Sequence, residues 1–140
     1  MLEAKVTWSG GMRFEGVAGS GGRLAFDYPA DKGGRGDVPS PMEATLLALG
    51  GCTGMDVISI LKKMREPVTG LEIRVAAERT EEHPRVFKSF VIEYIVEGEG
   101  LKEANVQKAV NLSKDKYCSV SAMLTRGAKV EYRVSVVDKG

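Results

Sequence analysis

"PSPMEATLLALGGCTGMDV", Pro39 to Val57, decides how the rest of the chain is read. Ser40-Pro41-Met42-Glu43 is S-x-x-E ahead of an apolar run, with proline at the first helical position. Such a capping box opens a helix: Ser40 is the N-cap, and Glu43 reaches back to the Ser40 amide. Residues 41–64 show no strand alternation and carry few charges before Lys62. They predict a long helix that is apolar on nearly every side. A helix of that kind must be covered all round, inside a large core or between subunits. A chain of 140 residues has trouble surrounding it alone, which predicts a homodimer. Three glycines, Gly50, Gly51 and Gly54, cost this helix about 1 kcal/mol each relative to alanine. They call for close approach by another element or by a ligand.

Outward from this helix the chain reads as α+β in one domain spanning 1–140. "AKVTW", "MRFEGVA" and "RLAFDY" are short strands separated by glycine turns. "ADKGGRGDVP" is a polar loop without phosphate-binding spacing. "EPVTG", with Pro67 and Gly70, ends the helix. "LEIRVAAERT" alternates Leu71, Ile73, Val75 and Ala77 against Glu72 and Arg74, the pattern of a half-buried strand. "VFKSFVIEYIVEG" puts Phe90, Ile92, Tyr94 and Val96 on one face. "EEHPR" between the two is a hairpin-like connection. "LKEANVQKAVNLSKDKY" has helical spacing, with Val106, Ala109 and Val110 in one stripe. "KVEYRVSVVD" closes the chain as a strand. Strands, buried helix, two strands, amphipathic helix and strand do not make a doubly wound parallel fold.

Composition excludes several classes. Twenty basic and nineteen acidic residues leave a formal charge of +1, which gives no steering toward nucleic acid or anionic lipid. The start, "MLEAKVTWSG", lacks the basic start and apolar run of a signal peptide, and no apolar stretch is expected to be long enough to span a bilayer. The expectation is a cytoplasmic protein without nucleic-acid or membrane partners. His83, beside Pro84, is the sole histidine and sits in a turn. Two cysteines and one histidine cannot form a closed four-ligand zinc site, so neither metal nor cofactor is expected.

Cys52 and Cys118 lie 66 positions apart. In a reducing compartment a structural disulfide is a poor reading. Two inert core thiols and a redox pair both remain open. Nine helical steps turn Glu43 about 180° away from Cys52, so the capping role is preferred for Glu43. Asp56, one turn after Cys52, shares its face. Its carboxylate either raises the thiol pKa or bonds backbone or a neighbouring side chain. Cys52 is three turns into the helix, so the macrodipole gives it little help and a cation must. Met42 and Met55 read as flexible filler or as lining of an apolar pocket.

These two cysteine-centred stretches, with "KYCSVSAML" as the second, resemble the OsmC/Ohr family of osmotically induced and organic-hydroperoxide-resistance proteins. The chain looks closest to the OsmC-like redox-protein branch, over essentially its whole length. The resemblance implies an intertwined homodimer with curved antiparallel sheets around central helices and active sites at the interface. It implies a thiol peroxidase: Cys52 attacks an organic hydroperoxide, Cys118 resolves the sulfenic acid as a disulfide, and a dithiol or lipoyl protein resets the pair. The family pattern N-P-E falls on Ser40, Pro41 and Met42, so the usual glutamate position is Met42 and Glu43 is one place late. The second motif, usually C-P-V-S, reads "CSVS", with Ser119 in the proline place. The catalytic arginine falls on Arg13, preferred, or on Arg35. The alternative is a non-catalytic member that binds or senses a small apolar molecule.

Overall fold

The structure is a computed structural model that describes residues 1–139. It has the expected α+β composition, with helices and two three-stranded sheets. The chain divides into two compact units, Met1–Thr45 and Leu46–Gly140.

In the first unit β1 (Ala4–Trp8), β2 (Phe14–Ala18) and β3 (Arg23–Phe26) form an antiparallel meander. Its register sets Trp8 opposite Phe14 and Phe14 opposite Phe26. Asp27 follows, only 6% exposed, at the start of the polar loop. Its Oδ1 accepts from the Tyr28 amide at 2.7 Å and its Oδ2 from the Arg35 amide at 3.2 Å. Gly34 packs so tightly in this loop that a Cβ there would lie 1.7 Å from the Tyr28 carbonyl oxygen. The loop ends in the capping box. Glu43 N–H donates to Ser40 Oγ at 3.2 Å, and Ser40 N–H donates to Glu43 Oε1 at 3.0 Å. The Ser40 amide, chiefly, with the Ser40 hydroxyl beside it, holds the Glu43 carboxyl below the usual carboxylate range.

Helix α1 runs from Pro41 to Lys63. In the second unit it lies with β4 (Val68–Arg79), β5 (Phe87–Gly98), α2 (Glu103–Leu112), α3 (Ser119–Leu124) and β6 (Lys129–Asp138). The sheet order is β4-β5-β6. The hairpin β4–β5 is antiparallel, but β6 pairs with β5 in parallel, Phe90 facing Val130 and Tyr94 facing Val134. The expectation of purely antiparallel sheets is corrected here. A parallel neighbour needs a crossover, and α2 and α3, between β5 and β6, supply it. The segment 101–117 is also not one helix. After Leu112 a π-helical turn, Ser113–Tyr117, intervenes, and the short α3 follows Cys118.

The core joins Leu49, Val57 and Leu61 of α1 to Phe90, Ile92, Tyr94 and Val96 of β5 and to Val106, Ala109 and Val110 of α2. Each of the buried leucine, isoleucine, valine and phenylalanine side chains contributes about 1.5–3 kcal/mol. Opposite this face, β4–β6 carry a charged lattice in which Arg74 meets Glu72 and Glu93, and Arg133 meets Glu131.

Two expectations for α1 change. Within this chain it is buried along one stripe only, at Leu49, Thr53, Val57 and Leu61. Leu47 and Met55 are 66% and 76% exposed. A single sheet face covers only one side of a helix. At 23 residues, α1 is also long and apolar enough, by length and composition, to cross a membrane. The sequence reading took no apolar stretch to be long enough, and the length of α1 corrects that. A core helix shares this composition, and the stripe on α1 packs against the sheet: a Cβ at Gly50 or Gly54 would meet Ile73 and Val75 side chains at 3.5–3.8 Å.

Candidate active site

Cys52 and Asp56 project one turn apart from α1. Cys118 reaches them from the far side of the crossover. The π-helical turn closes with Cys118 N–H donating to the Ser113 carbonyl at 2.8 Å. It leaves Cys118 as the cap of α3, its Sγ accepting from the Ser121 amide at 3.3 Å. The two sulfurs and a carboxylate oxygen of Asp56 all lie within 4.8 Å of one another. Both thiols are free.

The two thiols differ in environment. Cys118 is 4% exposed, whereas Cys52 is half-buried. Burial, first, pushes the Cys118 thiol up to about 11. A hydrogen bond to Cys52 and the charges of Cys52 and Asp56 push the same way, against the Ser121 amide. At neutral pH Cys118 therefore keeps its proton.

Asp56 ends a line of hydroxyls. Ser113 Oγ–H donates to Asp56 Oδ2 at 2.8 Å. Ser113 has spent its one proton, so in its 2.7 Å contact with Thr53 Oγ1 it accepts. Thr53 in turn accepts from Tyr94 O–H at 2.7 Å. The direction Tyr94 to Thr53 to Ser113 to Asp56 follows from the carboxylate oxygen at the end, which accepts the Ser113 proton. Of the two readings open for Asp56, a bond to a neighbouring side chain is realised. Burial, chiefly, raises Tyr94 to about 12, so it remains a neutral donor. Beside Asp56 opens a cleft of about 390 Å³, lined by Ser59, Ile60, Lys63, Met64, Lys108, Leu112 and Tyr117.

Residues 34–133 match the family model described as OsmC-like protein. This chain belongs to the OsmC-like family. It is similar to Protein YhfA of Escherichia coli K12, 42% identical over 137 residues, covering 97% of this chain and 98% of that protein. A hypothetical protein from Aquifex aeolicus VF5 superposes with a TM-score of 0.87 at 28% identity, over 100% of this chain and 98% of that one. The fold is shared with an organic hydroperoxide resistance protein OsmC from Legionella pneumophila, at a TM-score of 0.66 and 17% identity, over 98% and 96% of the two chains.

In this OsmC-like chain the other expected site residues lie as follows. Arg13 is engaged by acids of its own unit: Asp37 at 3.0 Å, and Asp27 and Glu15 at 3.8 Å each. The Arg13 guanidinium holds the Asp37 carboxyl below the usual range. Arg35 contributes its amide to Asp27. Met42, at the family's glutamate position, is half-buried, and its carbonyl accepts from Thr45 Oγ1 at 2.6 Å. Met55 sits on the outer face of α1, and Met64 lines the cleft beside Asp56. Sequence reasoning missed Thr53, Ser113 and Asp27. The signal available for the first was a hydroxyl on the stripe of an apolar helix that otherwise carries leucine and valine.

Proposed function

We propose that this protein is a thiol peroxidase that reduces organic hydroperoxides. The observation that carries the reading is the pair of sulfurs within 4.8 Å, one half-buried and one sealed and protonated. Cys52 attacks as the thiolate. Its sulfur takes the distal hydroxyl of the hydroperoxide, the O–O bond breaks, and the alkoxide leaves with the electron pair. The Cys118 proton goes to that alkoxide, giving the alcohol. What remains on Cys118 is a thiolate, which attacks the Cys52 sulfenic acid and expels hydroxide as the disulfide forms. A dithiol or lipoyl protein then reduces the disulfide. The cation that keeps Cys52 ionised is Arg13 in this reading, with Arg35 the alternative, and loss of rate in Arg13→Gln or Arg35→Gln separates them. The working unit is a homodimer. The name of the Legionella relative supports this substrate class.

A second reading, binding of a small apolar molecule without turnover, is favoured by the cleft beside Asp56 and by methionine at the glutamate position. One experiment decides between them. Reduced protein is dosed with one equivalent of cumene hydroperoxide, and free thiols are counted. The peroxidase loses both thiols rapidly and forms an intramolecular disulfide, which is absent in Cys118→Ser. Cys52→Ser does not lose its one remaining thiol, Cys118, rapidly. Two titratable thiols persisting in the wild-type protein after the dose overturn the peroxidase.

A further inference from the structure

We propose that Cys52, Asp56 and Cys118 form a three-ligand site for a thiophilic divalent cation of the zinc class, open at its fourth position and available only while both thiols are reduced. The inference does not rest on the peroxidase reading, because it concerns the reduced protein without oxidant.

The first support is geometric. Zinc–sulfur bonds of ~2.3 Å and zinc–oxygen bonds of ~2.0–2.2 Å at tetrahedral angles space the donor atoms roughly 3.5–3.8 Å apart. Donors already within 4.8 Å of one another need to close by no more than about an ångström. Cys52 and Asp56 have the i, i+4 spacing that lets one helix face offer two ligands. Cys118 supplies the third from a separate element.

The second support is the arrangement around the ligands. Ser113 donates to the Asp56 carboxylate, and the Ser121 amide donates to the Cys118 sulfur. Such outer bonds orient metal ligands and stabilise their charged forms. The Asp56 arm is in turn braced by the buried hydroxyls of Thr53 and Tyr94.

The third support is electrostatic. Among the described residues of this unit, Asp56 pairs with no lysine or arginine. Its carboxylate lies beside the two sulfurs. A divalent cation would be surrounded by three anionic donors, with any thiol proton still held released to solvent. Cys52 and Asp56 are half-buried, which leaves an approach for the ion and a place for a water at the fourth position. The sequence-based exclusion of zinc counted cysteine and histidine only. A carboxylate completes a set of three.

The test uses Co²⁺ as the probe, added anaerobically to the reduced, full-length protein. One Co²⁺ per chain should bind, with sulfur-to-cobalt charge transfer in the near ultraviolet and the visible absorption of a tetrahedral site. Zn²⁺ should bleach both. Asp56→Asn should weaken binding at least about tenfold, and Cys118→Ser should lose most of the charge-transfer intensity. Wild-type protein oxidised to the disulfide should bind none. Because this last comparison needs no variant, a misfolded Asp56→Asn protein does not rescue the idea. Absence of charge transfer at stoichiometric cobalt, equal binding by the oxidised protein, or undiminished affinity in folded Asp56→Asn each overturns it.

Discussion

Ser113 donates its hydroxyl proton to Asp56, 57 positions away along the chain, at 2.8 Å. This bond ties the π-helical turn that delivers Cys118 to the helix that carries Cys52. The buried hydroxyls behind it have a fixed direction, and that direction ranks the consequences of removing them. Thr53→Val leaves Ser113 and Tyr94 without their common partner and should cost roughly 1–3 kcal/mol, the penalty for an unsatisfied buried group. Tyr94→Phe removes only the terminal donor and should cost less, about 0.5–1.5 kcal/mol. Urea unfolding of both variants checks the order. Equal losses, or the reverse order, contradict the assigned direction.

Burial of Cys118 predicts a pH dependence with a definite sign. The folded chain holds this proton up to about 11, whereas an unfolded thiol releases it near 8.5. The unfolded state therefore loses the proton first. Stability is unaffected below about 8.5 and declines as pH rises from there toward the folded value. In Cys52→Ser, alkylation of Cys118 by iodoacetamide should show a midpoint well above that of the urea-unfolded protein. Coincident midpoints would remove burial as the cause.

Glu43 and Ser40 satisfy each other's amides. Glu43→Ala should lower the melting temperature and leave the rate of thiol loss to cumene hydroperoxide unchanged. The stabilisation is present above the ordinary carboxylate pKa and is lost as pH falls through the depressed folded value. A large fall in rate at an unaltered melting temperature would make Glu43 a catalytic group instead.

Leu47 and Met55 stand exposed on the outer face of α1, and Gly51 between them faces open space. Apolar side chains flanking a bare glycine suit close approach by a second α1. Leu47→Glu with Met55→Glu should yield a monomer in sedimentation experiments, with helix content retained, and the wild-type chain should sediment as a dimer. A wild-type monomer at micromolar concentration, or a variant dimer, contradicts this.

The elements were legible in the sequence wherever one period dominated. Phe90, Ile92, Tyr94 and Val96 alternate, and all four are buried; Val106, Ala109 and Val110 mark the buried face of α2 as spaced. The capping box announced the first turn of α1 because Ser40 and Glu43 act locally. What stayed hidden depends on partners distant in sequence. Nothing near Lys129 says that β6 will pair in parallel, since that choice belongs to the crossover. The π-helical turn adds one residue per turn without any change in composition. Asp27 looks like an ordinary turn residue until Arg35, eight positions later, donates to it. The meeting of Cys52 with Cys118 was expected from family resemblance rather than from spacing, which left inert and reactive thiols open.

The nearness of those two sulfurs has a consequence for the chain as a whole. Linking positions 52 and 118 closes a loop of 66 residues, and restricting that loop disfavours the random coil by about 4 kcal/mol in the chain-entropy treatment. An oxidised molecule would resist heat and proteases that its reduced twin does not. Its durability would then register whether it had last met a peroxide or a reductant.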